Sequence, residues 1–229
     1  MIVTIHQPNF LPWLGYFYKM ARADRFVFLD SVPFAKGSYT NRVRIKTAAG
    51  PQWLTVPVVT RGRLGQVIAE VRCSNTLDWR KKTAQALRTN YQHCPHFQPH
   101  ADRILEIIHA AGDGLADLNI QLIAYVAGQV GICTPTLRAS RMQARGKATD
   151  LLIAIAKELG ADTFLSGMGG AEYQDESAYG RAGIKLAYTD FQHPTYPQAF
   201  GEFVPGLSIV DLLFNCGPDA MRILTGKPA

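Results

Sequence analysis

The chain has 229 residues, of which 47% are hydrophobic and 18% are charged, a balance typical of one folded globular domain. No run of about 18 apolar residues is present, which excludes a membrane-spanning helix, and the start lacks the cationic region of a signal peptide, so we expect a cytoplasmic protein. The formal net charge of +6 permits nucleic acid as a partner without requiring it.

The first thirty residues predict a strand, a loop, a helix and a second strand. Residues 1–5 (MIVTI) and 25–30 (RFVFLD) are short apolar runs that favour buried strands. Residues 14–23 (LGYFYKMARA) have apolar side chains at helical spacing. Because parallel strands need a crossover connection, this order predicts a βαβ unit.

The middle of the chain predicts strands followed by a helical block. Strands are expected at 39–47, 52–58 and 66–73. Residues 76–132 begin with a Thr/Asp capping signal and have helical periodicity. We interpret the chain as a single α/β domain, residues 1–229, with a helical subdomain at about 76–132.

The last hundred residues predict a second βαβ passage followed by two short helices. Apolar runs predict strands at 134–140, 162–167 and 184–191, and helices at 147–160 and 171–183. Alternation of strands and helices indicates a mainly parallel sheet. The predicted fold class is therefore α/β and Rossmann-like.

The loop HQPNFLPWLG follows the first predicted strand, where α/β proteins place their ligands. His6 is a candidate general base or phosphate donor, and the amides of Gln7 and Asn9 can both donate and accept hydrogen bonds. We expect Phe10, Trp13 and Leu14 to anchor the loop in the core, so that the polar side chains face a ligand. The alternative is that His6 only satisfies a backbone carbonyl.

A second polar stretch, DSVPFAKGSYTNRVRIKT, combines an acid at a strand end with several cations and an amide. Val43 and Ile45 alternate with the cations of the strand, which are expected to lie on its other face. Cations on one face can hold a phosphate or carboxylate, although a charged, solvated edge strand would look the same. The candidate residues here are Asp30, Lys36, Asn41, Arg42, Arg44 and Lys46.

A third stretch, LSGMGGAEYQDE, places a serine and three glycines between a predicted strand and a helix. Backbone amides in such a turn can hold an anion, although the pattern matches neither GxGxxG nor the P-loop. Glycines also occur in such turns for tight geometry alone. The candidate substrate-binding residues are Ser166, Gly167, Gly169, Gly170, Tyr173 and Asp175.

Two further features of the chain are not assigned to the site. The run HCPH has histidines and a cysteine, but its spacing fits no zinc pattern, and the four cysteines lack CxxC spacing. No metal site is predicted. Cys216 precedes a glycine at a helix end, and the sequence shows no base or cation that would activate it.

Residues 12–16 (PWLGY) are similar to the Pro–His–x–Gly–His turn of nucleotidylyltransferases and class I synthetases. Trp13 and Tyr16 stand at the two histidine positions. The similarity implies a nucleotidylyltransferase-like fold, and the missing histidines argue against adenylyl transfer.

Four motifs in this order resemble the WbqC-like protein family: IHQPNFLPWLGYF, NRVRIKT…QWLTVPV, FLSGMGGAEYQDE and FVPGLSIVDLLFNCG. The resemblance spans nearly the whole chain and implies a setting in bacterial O-antigen and other surface-glycan synthesis. It also marks a set of family-like polar positions, which are His6, Gln7, Asn9, Asp30, Asn41, Arg42, Ser166, Gly167 and Asp175.

These residues, together with the glycan setting that the resemblance implies, favour a small-molecule transferase that places an acyl or aminoacyl group on an amino sugar carried by a nucleotide. His6 would accept the amine proton, Asn41 and the glycine-rich turn would stabilise an oxyanion, Asp30 would be a further catalytic group, and the arginines would bind phosphate. The expected partner is an anionic small molecule, a nucleotide sugar or an acyl or aminoacyl donor. No cofactor is assigned. A nucleotide-activating enzyme, a non-catalytic binding protein and a nucleic-acid binder remain alternatives, and the last lacks any recognised motif.

Overall fold

The strands and helices follow the apolar periodicity of the sequence closely. The computed structural model describes residues 1–63, 65–75 and 78–226, without the side chains of 171–173. Its strands are β1 (Ile2–His6), β2 (Arg25–Phe28), β3 (Arg42–Thr47), β4 (Gly50–Thr55), β5 (Thr136–Arg138), β6 (Thr163–Ser166) and β7 (Lys185–Tyr188). Its α-helices are α1 (Leu14–Ala21), α2 (Trp79–Tyr91), α3 (Phe97–Ala110), α4 (Leu115–Gln129), α5 (Ala148–Glu158), α6 (Glu176–Arg181), α7 (Ile209–Cys216) and α8 (Ala220–Thr225).

A parallel sheet with the order β5-β2-β1-β6-β7 forms the centre of the protein. Val3 of β1 lies beside Arg25 of β2 on one side and Phe164 of β6 on the other. Taken in chain order, the strands of this sheet follow the sequence 3-2-1-4-5, which is the doubly wound arrangement. The predicted α/β class with a mainly parallel, Rossmann-like sheet is confirmed, and so is the first βαβ unit.

Side chains on the two faces of this sheet enter different cores. In β2, Phe26 and Phe28 join a cluster with residues of α1, α4, α7 and α8. Val27, between them, joins a cluster with α5 and α6. Both faces are therefore covered by helices, as expected for a parallel sheet.

β3 and β4 form a separate antiparallel hairpin that packs against the helical block. Val43 and Ile45 are fully buried in a core that includes residues of α2, α3 and α4. The cations of β3 alternate with these two residues along the strand, and Lys46 among them is enclosed instead of solvated. Lys46 is 2% exposed, and its ammonium group donates to Gln198 Oε1 at 3.1 Å and to the Glu202 carbonyl.

Two predicted elements differ from the structure. Residues 66–73 contain a 3₁₀ turn, Ile68–Glu70, instead of a strand, because the Ile68 and Ala69 amides donate to the carbonyls of Val32 and Asp30. Residues 171–183 do not form one helix. A 3₁₀ segment runs from Met168 to Tyr173, and α6 begins after the N-cap Asp175.

The length and apolar content of the described helices show whether any of them could span a membrane. None of them is long and apolar enough to cross a membrane. Among the same residues, no group of three or more His, Cys, Asp or Glu side chains is arranged to hold a metal ion.

Candidate functional site

A cleft of about 500 Å³ opens at the carboxyl ends of β1 and β6. On one side of β1 lie β2 and then β5, which are the next strands of this sheet in chain order. The strand that follows them in the chain, β6, lies on the opposite side of β1. The order of strands therefore reverses between β1 and β6, and doubly wound proteins bind their ligands at this switch point. The loop after β1, helix α1 and the turn after β6 line the cleft.

His6, at the end of β1, presents a neutral imidazole to the cleft. Its ring lies between Tyr16 and Trp13, with ring centroids 4.7 and 5.6 Å away. Nδ1 is 3.2 Å from the Gln7 carbonyl, which can only accept, so Nδ1 carries the proton. In the described part of the chain Nε2 has no hydrogen-bond partner, and in this tautomer it is an acceptor.

The surroundings of His6 disfavour its cationic form. One edge of the residue stays open to the cleft, but burial of most of the ring and, secondarily, the nearby Lys19 lower its pKa to about 3. The imidazole is therefore uncharged at neutral pH and can accept a hydrogen bond there without losing a proton first.

Lys19 lies on α1 and is one of the residues that line the same cleft. The residue is 5% exposed, and Nζ donates to the Ile5 carbonyl at 3.1 Å. Burial lowers its pKa to about 7, so that a substantial share of the amine is neutral near physiological pH. Lys19 is not among the candidate residues predicted from the sequence. The sequence feature that could have indicated it is a single cation inside the otherwise apolar run LGYFYKMA.

The turn after β6 forms the opposite wall. Ser166 is 3% exposed, and its hydroxyl accepts from Gln174 Nε2 at 2.6 Å. A Cβ at Gly170 would lie 2.6 Å from both of these atoms, whereas Gly167 and Gly169 have open space around them. Gly170 therefore makes room for the serine–glutamine pair, and the other two glycines leave the backbone accessible from the cleft.

The structure brings together fewer than half of the predicted site residues. His6, Gln7, Ser166, Gly167, Gly169 and Gly170 all line this cleft. Gln7 faces it with an amide whose Oε1 accepts from Thr40 at 3.2 Å. We expected Phe10, Trp13 and Leu14 to anchor the loop in the core, and Trp13 does so only in part. Phe10 and Leu14 are fully buried, but Trp13 is half-buried and lines the cleft.

Asp30 does not line the cleft. Its carboxylate is instead hydrogen-bonded to residues of β5 and of the segment that follows β5. The residue is fully buried. It accepts from Arg138 Nε at 2.7 Å and from both the amide and the hydroxyl of Ser140 at 2.8 Å. These bonds hold β2 to the segment after β5, and they leave the carboxylate little capacity for a ligand.

Asn9 and Asn41 are also enclosed away from the cleft, at 3% and 4% exposure. The Asn41 amide donates to the Val56 carbonyl at 3.0 Å and accepts from the Gly37 amide at 3.2 Å. Asn9 receives a 3.4 Å contact from Thr40. Both side chains therefore hold the loops that shape the site.

The remaining predicted residues lie elsewhere on the surface. Arg42 and Arg44 are half-buried on the hairpin, and Lys36 is exposed in the loop before it. Asp175 is exposed and caps α6. The prediction for the side chain of Tyr173 lies outside the described residues.

Comparisons with known proteins give a consistent result over almost the whole chain. A model of the WbqC-like protein family matches residues 7–223. The chain is 34% identical over 220 residues to the uncharacterized protein Rv1507c of Mycobacterium tuberculosis, which covers 95% of each chain. No solved structure matches.

Proposed function

Because the chain belongs to the WbqC-like protein family, we propose that it is a small-molecule transferase of bacterial surface-glycan synthesis. It transfers an acyl or aminoacyl group to an amino sugar carried by a nucleotide. The cleft at the switch point is the active site, and the surface-glycan setting follows from the resemblance of the sequence motifs.

One observation carries this proposal: a neutral histidine and a lysine with a pKa of about 7 share one cleft. Proton transfer is most efficient when the pKa of the base lies near the operating pH. Lys19 meets that condition, and His6 supplies a fixed acceptor at Nε2. Strongly shifted groups that meet in a cleft are typical of catalytic sites.

The step proceeds by attack of the sugar amine on the carbonyl carbon of the donor. His6 Nε2 accepts a hydrogen bond from the amine and orients its lone pair. A carbon–nitrogen bond forms, and the bond from the carbonyl carbon to the leaving group breaks with its electron pair passing to the leaving group. The amine proton passes to neutral Lys19, which then gives it to the leaving group. In this scheme the proton acceptor is Lys19, and His6 keeps the direct contact with the amine.

The turn after β6 faces the developing negative charge on the carbonyl oxygen. Backbone groups around Gly167 and Gly169 are reachable from the cleft, since nothing lies within 4 Å of either missing side chain. Donors placed where charge develops are worth roughly 10²- to 10³-fold in rate each. Asn41 has no part in this step, because its amide is already bonded to Val56.

The second candidate is a nucleotide-activating or nucleotidyl-transfer enzyme. The 3-2-1-4-5 strand order favours it, because folds of this type bind nucleotides at the switch point. The aromatic residues at positions 13 and 16 weigh against it, since they leave this turn without histidines for the triphosphate. Formation of pyrophosphate from a nucleoside triphosphate would identify this activity.

The test is turnover with acyl and aminoacyl donors and nucleotide-linked amino sugars, with the acylated sugar detected by mass spectrometry. Lys19→Met and His6→Asn should each lower kcat by about 10²- to 10⁴-fold. Lys157→Met, which removes an exposed lysine at the end of α5, should leave kcat unchanged. Absence of product with every pair, or full activity of Lys19→Met, would overturn the proposal. Ligand-induced stabilisation without turnover would instead identify a binding protein.

A further inference from the structure

A row of aromatic rings leads out of the cleft across the hairpin. Trp13, at the rim, has its ring centroid 5.1 Å from that of Tyr39, and Tyr39 lies 5.7 Å from Trp53. Tyr39 and Trp53 are 39% and 40% exposed, which is high for such large side chains. These two rings together with Arg42 and Arg44 are here called the hairpin strip.

The register of the hairpin puts both arginines beside Trp53. Arg44 lies directly opposite Trp53 in the β3–β4 pairing. Two residues away on the same face, Arg42 has its guanidinium carbon 4.3 Å from the centre of the indole ring. The arginine thus fixes the orientation of the indole, which limits the entropy lost when a ligand stacks on the strip.

The two arginines lack the partners that other cations of this protein have. Arg138, for example, pairs with Asp30 and Asp117. In the described part of the chain neither Arg42 nor Arg44 forms an ion pair, and the Nε atoms of both are buried without a hydrogen-bond acceptor. Two like charges on one strand face repel each other. An anion bound between them would remove that repulsion and accept hydrogen bonds from the guanidinium groups.

We propose that the hairpin strip binds the nucleoside diphosphate part of the carrier. The base stacks on Tyr39 and Trp53, the two phosphates are held by Arg42 and Arg44, and the sugar extends past Trp13 into the cleft. Stacking on aromatic faces suits any planar base, and guanidinium groups match phosphate geometry. The strip is continuous with the cleft, which favours a part of the same substrate as its occupant. This inference rests on the proposed function and names its carrier subsite.

Calorimetric titration with ADP, GDP, CDP, UDP and inorganic pyrophosphate tests the subsite without any turnover. At least one nucleoside diphosphate should bind more tightly than pyrophosphate. Trp53→Ala should weaken its binding by about 5- to 150-fold, the range for loss of one stacked base, and Trp53→Phe should retain most of it. Arg44→Ala should weaken the nucleotide and pyrophosphate alike. Arg103→Ala, which removes an exposed arginine paired with Glu106 on α3, is the matched control and should change neither.

The outcomes separate this inference from the proposed function. Binding that depends on Trp53 and Arg44, with no acyl transfer to any sugar, supports the subsite and rejects the transferase. Acyl transfer that is unaffected in kcat/KM by Trp53→Ala and Arg44→Ala rejects the subsite and leaves the transferase standing. Equal binding of pyrophosphate and all nucleotides, or no binding of either, also rejects the subsite.

Discussion

Lys19 lies on α1 in surroundings that disfavour its charged form. The side chain is enclosed at 5% exposure, and one carbonyl, that of Ile5, accepts a hydrogen bond from its amine. No carboxylate pairs with it in the described part of the chain. A buried cation without a counter-ion lowers the stability of the folded state, so such a residue is retained for its chemistry more readily than for packing.

Lys19→Met should therefore raise the stability of the protein at neutral pH. The folded-state pKa is lowered from 10.5 to about 7, so between these values the unfolded chain binds more protons and wild-type stability falls as pH falls. Each pKa unit corresponds to roughly 1.4 kcal/mol. Allowing for the lost hydrogen bond and imperfect packing, we expect a gain of about 2–4 kcal/mol at pH 6, measured by urea denaturation.

The pH dependence distinguishes this effect from simple repacking. The difference in unfolding free energy between the two proteins should shrink as pH rises from 7 and should lose its electrostatic part above 10.5, the unfolded value. Lys157→Met, on the exposed end of α5, should show no such trend. A difference that is constant from pH 6 to 10 would contradict the assignment of a lowered pKa to Lys19.

Single residues also show where inference from sequence reached its limit. Both His6 and Ser166 follow strands predicted to be parallel, and the carboxyl ends of such strands share one edge, which explains why these two candidates line one cleft. Asp30 has a similar position, but its partners Arg138 and Ser140 lie 108 and 110 residues away in the chain. Nothing local in the sequence indicates such a distant ion pair, so a buried structural carboxylate looked like a catalytic one.

At the scale of elements, α7 holds the loop after β1 in place. The Ser208 hydroxyl donates to the Leu11 carbonyl at 2.8 Å and accepts from the Val210 amide at 3.3 Å. The Ile209 amide donates to the Pro12 carbonyl at 2.9 Å. Leu11 has a positive φ of 41°, a conformation that a leucine adopts only when its surroundings impose it. The N-terminus of α7 provides those surroundings.

Ser208→Ala should lower the free energy of unfolding by about 1–3 kcal/mol, since it removes a helix cap and leaves a buried carbonyl without a donor. Equilibrium denaturation in urea measures this loss. Ser177→Ala, at an exposed position of α6, should change the same quantity by less than about 0.5 kcal/mol. Equal effects of the two substitutions would show that the bond to Leu11 contributes little.

Elements with clear local periodicity were predictable, and those fixed by distant contacts were not. The strands and helix of the first βαβ unit follow from apolar runs and spacing alone. Residues 66–73 have the composition of a strand, but two amides there bond to carbonyls of the segment 30–32 instead of to a neighbouring strand. Tertiary hydrogen bonds thus overrode the local preference.

At the scale of the molecule, a buried polar link joins the hairpin to the helices around the main sheet. Tyr91, at the end of α2, donates its hydroxyl proton to Asp211 Oδ2 at 2.9 Å and accepts from the Lys46 amide at 2.9 Å. Asp211 is fully buried, and burial raises its pKa. The Tyr91 hydroxyl is therefore a hydrogen-bond partner of both the Lys46 amide in β3 and the Asp211 carboxylate in α7.

Tyr91→Phe should lower the free energy of unfolding by at least about 2 kcal/mol, because it leaves the buried Lys46 amide without its acceptor and removes one hydrogen bond from the buried Asp211 carboxylate. Thermal and urea denaturation give this value. Tyr125→Phe is the control, since among the described residues the hydroxyl of this half-buried tyrosine makes only a 3.5 Å contact with His100. A loss for Tyr91→Phe no larger than for the control would mean that water replaces the missing hydroxyl.

The global class was predictable from the alternation of strands and helices, but the strand order was not. Sequence periodicity shows which segments are strands, whereas their neighbours depend on how the connections cross the sheet. The switch point between β1 and β6 follows from that order. Both walls of the cleft were recognised as polar strand ends, while Lys19 went unnoticed because a lysine on a helix is usually solvated.

The central place of β1 has a consequence during protein synthesis. This strand leaves the ribosome before the other strands of the sheet, yet one of its two partners, β6, begins only at Thr163. Until that segment emerges, a nascent chain with β1 and β2 paired still exposes the second hydrogen-bonding edge of β1, which is an apolar strand. Unpaired edges of this kind recruit other strands. Chains terminated between β5 and β6 should therefore aggregate in cells and depend on chaperones far more than the complete protein does.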